Sequence, residues 1–410
     1  MSPRSNASGA ERLLQRFNAL PRPLQRLARL IRNPRSPFFK PYLRFKGYRP
    51  TPVPPPTELP RQARRVYIAP VNAAEQARRW ASALSDELPD LGAAYMMAPT
   101  LTGGVFKRDA PVPVGAFHLS KEWQRAEFAR ACEFTHVLVE AERPMFGSLF
   151  HYDVAREIAA LRERGVSVAM LAHGSDVRNP AAHRRLTPWS PFHQDRPEVA
   201  ALQETSDRNL KLLERLDLPT FVVTLDLLEE LPRAHWCPNV AEIDRWASAA
   251  RELLTEERPI VAHIPSRGWL KGSDRVDPVA SALAAEGVFE YRRLSGVPQE
   301  EMPSVIGHAD IVLEQFGAGA YGTTAVEAMA AGRVVVGYVL PAVRRAIEEV
   351  TGLEVPIVEA TPDTLEAVLR ELLADPERMR TIGARSAEFA RTVHDGRLSA
   401  RLLAEHWIDA

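Results

Sequence analysis

The sequence predicts an α/β protein of two successive parallel-sheet domains behind a basic N-terminal arm. Three observations predict it. Short apolar runs alternate with helical patterns from residue 66 onward, the alternation begins a second time after residue 246, and the first 50 residues are charged unlike the rest. Alternation of this kind places helices on both faces of a parallel sheet, because each parallel crossover needs a connecting segment long enough for a helix.

In chain order the first series reads VYIAPV (66–71), AEQARRWASALSDEL (74–88), HVLVEA (136–141), YDVAREIAALRERG (152–165), SVAMLAHG (167–174) and TFVVT (220–224), with a turn after the last. The second reads PIVAHIP (259–265), VDPVASALAAEG (276–287), VFEYRRL (288–294), DIVLEQF (310–316), VVVGYV (334–339) and PIVEA (356–360). The expected organisation is a Pro-rich basic arm and linker at 1–60, a first Rossmann-like domain at 61–240, a second at 241–393 and a C-terminal helix at 394–410. The first folded residue is expected near Arg65. A crevice at the C-terminal ends of such sheets is the default ligand site.

The 410 residues are 45% hydrophobic and 25% charged, ordinary values for a globular protein. No apolar run is long enough to span a membrane and no signal-peptide core precedes the folded part, so a cytoplasmic protein is expected. Cys132 and Cys237 lie in unrelated segments without metal-site spacing and are expected as small buried hydrophobes. Formal net charge is zero, yet residues 1–50 hold ten Arg and two Lys against the single acid Glu11. The arm is therefore strongly basic and the remainder acidic. Leu13, Phe17, Leu20, Leu24, Leu27 and Ile31 recur at helical steps, interrupted by Pro21 and Pro23. Such an arm fits an anionic membrane surface at the inner face, whereas an acidic body repels nucleic acid. TPVPPPTELP (51–60) reads as a stiff linker.

GAGAYG at 317–322 follows the apolar run 311–313 and precedes the helical pattern TTAVEAMAAG (323–332). Strand, glycine loop and helix in this order bring backbone amides to a phosphate. An NAD site also needs an acid at the end of the next strand, and VVVGYVLP (334–341) has none. Phosphate binding without nicotinamide is the expectation. In IPSRGWLKGSD (264–274), Arg267 and Lys271 stand four residues apart after a strand, suited to the two phosphates of a diphosphate. No D-x-D pattern and no G-x-S-x-G elbow occurs.

The set S-R-G-x-x-K-G (266–272), A-D-I-V (309–312) and Y-G-T-T-A-V-E-A-M-A-A-G-R-V-V-V (321–336) resembles the donor domain of GT-B retaining glycosyltransferases of the family 4 type. The similarity extends through 361–390, and in the first half through YIAPVNAAEQARRWASAL (67–84), HGSDVR (173–178) and LPRAHWCPNVAEIDRW (231–246), covering roughly residues 65 to 405.

The resemblance implies a GT-B fold, two Rossmann-like domains facing across a cleft. It also implies transfer of a sugar from a nucleotide-diphosphate-sugar to a sugar, lipid-linked or other small acceptor, with the anomeric configuration retained. Arg267 and Lys271 then meet the diphosphate, Glu327 the ribose, and His173 the sugar. Gly317, Gly319, Gly322 and Thr323 line the donor loop with Tyr321, while Asn72, Ser175 and Asp176 are acceptor or cleft candidates. No cofactor and no metal are implied, because the two cations and the helix amides at Thr323 stabilise the charge growing on the leaving group.

The chain departs from the family pattern at Gly319, which stands where the first of two glutamates is usual, and at Ala73 and Ala74, where glycine is common. Gln315 and the amides of 318–321 are then the nearest partners for sugar hydroxyls. A nucleotide-sugar epimerase of the same fold, or a degenerate binding protein, are the competing readings.

Overall fold

The computed structural model describes residues 30–101 and 111–410. The helical spacing from Leu13 to Leu27 falls outside the described residues. Eleven strands are described in two sheets. The first contains β1 (Arg64–Ala69), β2 (Leu91–Tyr95), β3 (His136–Glu140), β4 (Ser167–Ala172), β5 (Thr220–Val222) and β6 (His235–Trp236) in the order β2-β1-β3-β4-β5-β6. The second contains β7 (Ile260–His263), β8 (Glu290–Arg293), β9 (Ile311–Leu313), β10 (Val334–Gly337) and β11 (Val358–Glu359) in the order β11-β10-β9-β7-β8. Two Rossmann-like sheets are what the alternating pattern predicts. Packing gathers the chain into two compact units: one up to Leu171 together with Leu216–Pro219, the other Ala172–Arg215 with Thr220–Ala410.

In the first unit β1 pairs parallel to both β2 and β3, so the chain leaves β1 in opposite directions on its two sides. Helix Gln76–Glu87 buries Ala77, Trp80, Ala81 and Leu84, an i, i+3, i+4, i+7 stripe that seats one face on the sheet. Helix Val154–Arg162 starts at Asp153, whose carboxylate accepts from the amides of Ala155 and Arg156, and it buries Val154, Ile158 and Leu161. Glu157 on that helix is fully buried and accepts from the amides of Met145 and Phe146; burial pushes its carboxyl up to about 8 despite those bonds.

Folded chain begins well before Arg65. Helix Phe39–Phe45 buries Phe39 and Leu43 completely against Tyr152, and Lys40 donates to the hydroxyl of Ser148. The proline-rich stretch is likewise held: the amide and hydroxyl of Thr57 both reach the buried carboxylate of Glu127, which also accepts from Tyr67. Apolar residues spaced four apart inside a basic run outweigh its charge, because the cations stay outside while Phe39 and Leu43 leave water.

The second unit owes its core to Val261, Ile311, Leu313, Val334 and Val336 of the sheet, covered by Val276 and Leu283 of helix Ser273–Ala285 and by Leu365 and Leu369 of helix Leu365–Leu373. Every neighbouring pair of strands in its sheet runs parallel. The near-continuous apolar runs of β7, β9 and β10 reflect burial on both faces. β7 lies between β8 and β9, so the order reverses between β7 and β9. In open parallel sheets such a reversal, at the C-terminal ends of the strands, is where ligands bind.

Candidate functional site

The loops leaving β7 and β9 meet at this reversal. His263 ends β7 fully buried, donating from Nδ1 to the carbonyl of Leu313 at 2.8 Å and accepting at Nε2 from the hydroxyl of Ser273 at 2.7 Å. Burial lowers it to about 4, so it stays neutral and fastens β7, β9 and helix Ser273–Ala285 together. The chain then passes through Arg267, which is exposed at the start of the one-turn helix Gly268–Lys271. Gly272 comes next at φ +78°, where a Cβ would stand 3.2 Å from that of Phe316. In return the amide of Phe316 donates to the carbonyl of Lys271 at 3.2 Å. Backbone contact thus joins the cation-bearing loop to the glycine loop.

Lys271 points to the end of β9. Its ammonium forms an ion pair with Glu314, a residue only 3% exposed. A Cβ at Gly322 would lie 3.5 Å from Glu314 Oε1 and 3.8 Å from Lys271 Nζ, so both charges sit at the N-terminus of helix Thr323–Ala330. Burial pushes the ammonium down to about 8. Glu327 lies on the same helix, four residues after Thr323 and hence on its face, and is 5% exposed.

The glycine loop is tightly enclosed. A Cβ at Gly317 would meet the carbonyls of Trp189 and Leu270 at 3.3 Å and Pro191 at 3.2 Å. Ala318 gives its carbonyl to His183, which is 1% exposed and also bonded to Ser190. Gly319 has φ +72°, and a side chain there would run into Leu340, whose Cγ would be 2.4 Å from the Cβ. Position 319 therefore turns toward Leu340. Tyr321 sends its hydroxyl 3.0 Å to Nε2 of His394, whose Nδ1 donates to the carbonyl of Asn239. The side-chain carbonyl oxygen of Gln315 is buried and has no hydrogen-bond partner among the described residues.

The remaining sequence candidates occupy other loops. After β4, the carboxylate of Asp176 accepts from the backbone amides of His173 and Gly174, and Ser175 is half-buried beside them. Arg178 closes this turn on Asp226 at 2.6 Å and on the hydroxyl of Thr224. Asp176 is thus a shaper of the loop that presents His173. Asn72 belongs to the first unit, at the corresponding reversal of strand order between β1 and β3. It adopts φ 48°, is 1% exposed, donates its amide to Glu140 and accepts from the amide of Arg78. Ala74 shares the left-handed conformation at φ 51°, so this loop takes a glycine-like path with alanine in it. Glu314 and His183 were not among the sequence candidates. Glu314 carried one signal, an acid directly between a strand and a glycine loop.

Among the described residues no group of three or more His, Cys, Asp or Glu side chains is set to hold a metal ion. No described helix is long and apolar enough to cross a membrane. Cys237 is buried, as expected, and Cys132 is only partly so.

The two sheet orders and the glycine loop at a strand-order reversal define the fold as GT-B, with two Rossmann-like sheets. Among solved structures the chain is similar to sucrose-phosphate synthase from Thermosynechococcus elongatus, at 12% identity and TM-score 0.52, covering 84% of this chain and 98% of that one. It is also similar to Anabaena HepE in complex with UDP and glucose, at 11% identity and TM-score 0.50, covering 83% and 98%. No family model matches the sequence, and no curated protein matches it.

Proposed function

We propose that the chain is a glycosyltransferase that takes its sugar from a nucleotide-diphosphate-sugar. The observation that carries this reading is the placement of Lys271 at the N-terminus of helix Thr323–Ala330, at the strand-order reversal, with Glu327 one turn further along the same helix. A diphosphate there gains the ammonium and the amides at the start of that helix. Glu327 then accepts from the ribose. Structural similarity to a protein crystallised with UDP and glucose supports the same reading.

In this reading charge grows on the leaving diphosphate as the glycosidic bond breaks, and Lys271, exposed Arg267 and the helix amides stabilise it without a metal ion. His173 faces the sugar, and Ser175 and Asp176 shape its loop. The acceptor attacks on the face the leaving group departs, retaining the anomeric configuration as in family 4 enzymes. The assay is incubation with a panel of UDP- and GDP-sugars and candidate acceptors, tracking released nucleoside diphosphate and the anomeric proton of the product by NMR. An inverted product removes the family 4 assignment, and no turnover with any pair removes the transferase reading.

The enzyme acts in the cytoplasm, at an anionic membrane surface reached by its N-terminal region. Phe38 and Phe45 are 55% and 87% exposed beside Lys46 and Arg44, a pairing of aromatic and basic groups suited to a lipid interface. Full-length protein should sediment with anionic vesicles and be released by salt. Phe38→Ser/Phe45→Ser/Lys46→Glu should stay in solution, and equal sedimentation of the two would contradict this role.

A further inference from the structure

Glu314 contacts neither phosphate nor ribose in the proposed site, yet it holds the cation on which that site depends. Its carboxylate stands at the C-terminal end of β9, buried, and neither oxygen has a hydrogen-bond partner among the described residues; its ion-pair partner is Lys271. An ammonium meant for a diphosphate is thus already neutralised from within. Adding phosphates beside this pair, with nothing else changed, would set like charges together in a buried place. The conflict resolves when Lys271 turns to the phosphate and the carboxylate finds other donors. The nearest donors on such a ligand are the hydroxyls of the sugar attached to its outer phosphate.

We infer that Glu314 is a specificity-determining residue of the donor site, which pairs with Lys271 before the nucleotide-sugar arrives and afterwards yields it to the diphosphate, accepting hydrogen bonds from the sugar hydroxyls. This rests on the nucleotide-sugar reading. Geometry favours Glu314 over the glycine loop for the role. Its Oε1 lies beside Gly322 at the helix start, whereas position 319 turns into Leu340 and the hydroxyl of Tyr321 is taken by His394. A buried carboxylate also discriminates well, because a sugar lacking the matching hydroxyl would leave it without a donor.

The test is calorimetry with matched probes, UDP against UDP-glucose and GDP against GDP-mannose, on the parent, Glu314→Gln and Glu314→Asp. The Gln variant keeps the volume and removes the charge. It should bind the nucleoside diphosphate at least as tightly as the parent, because Lys271 is released, and should lose about tenfold or more of the added affinity given by the sugar. The Asp variant, which keeps the charge, should retain the diphosphate affinity of the parent and part of the sugar contribution. An unchanged ratio between sugar-nucleotide and diphosphate affinities in both variants overturns the inference, as does an equal loss for both probes. If the parent binds none of the four probes, the nucleotide-sugar reading itself fails and takes the inference with it.

Discussion

Nε2 of His183 lies 3.0 Å from the carbonyl oxygen of Ala318, and its Nδ1 lies 2.8 Å from the hydroxyl of Ser190. A carbonyl only accepts, so Nε2 carries the proton and Nδ1 takes one from Ser190. Burial first, and then the nearby Arg178, lowers the imidazole pKa and keeps it in this neutral form. One ring thereby holds the second residue of the glycine loop in place.

Removing that ring leaves a buried carbonyl unpaired. His183→Ala should lower stability in urea unfolding by about 1–3 kcal/mol, the cost of an unsatisfied buried acceptor. His183→Gln, which keeps a donor, should recover part of the loss. An Ala variant as stable as the parent would mean the contact holds nothing.

Acid should destabilise the fold through its buried histidines. His394 bridges Asn239 and Tyr321, His263 fastens β7 to β9, and His118 is buried beside Tyr152; burial lowers each to about 4. The unfolded chain binds their protons near 6.5 while the folded one refuses them, so this stability is complete above about 6.5 and is lost as pH falls toward 4. Glu157 at about 8 and Glu230 at about 7 act in the other direction, losing stability as pH rises from the ordinary carboxyl range through those values. Urea midpoints at pH 7 and pH 5 should therefore differ less in His394→Gln than in the parent. An identical difference would remove His394 from the acid response.

Gly319 should resist substitution. At φ +72° any L side chain is strained, and its Cβ would collide with Leu340. Gly319→Ala should cost about 1–3 kcal/mol, and Gly319→Glu more, since a carboxylate is then pressed onto an apolar side chain. Pairing Gly319→Ala with Leu340→Ala should remove the collision and leave the backbone strain. A neutral Gly319→Ala would show that the loop turns differently.

The strand, glycine loop and helix around 311–330 were legible because each residue type there has one structural use: apolar residues for a buried strand, glycines where Trp189, Leu270 and Leu340 crowd the backbone, alanines for a close-packed helix. Other elements were not. β2 (LGAAY) has no β-branched residue, and β6 is two residues long, so neither carries a strand pattern. Helix Phe39–Phe45 is masked by its basic neighbours, and the tie between Thr57 and Glu127 joins residues 70 apart in sequence. Glu314 reads as the solvent end of a strand until the strand order sets the 264–272 loop against it. His183 sits among arginines in PAAHRRL, with nothing local to mark it.

The proposed function places the diphosphate at Lys271, at the start of helix Thr323–Ala330. Replacing Lys271 alone would leave Glu314 buried and uncompensated, confusing lost binding with lost stability, so the double variant Lys271→Met/Glu314→Gln is the informative one. The measurement is calorimetric titration of UDP and GDP into the parent and this variant. If Lys271 holds the diphosphate, the parent binds at least one of them and the double variant, still folded by circular dichroism, binds it about tenfold or more weakly, as expected when one charged hydrogen bond to phosphate is lost. Equal affinity in the two proteins would contradict it.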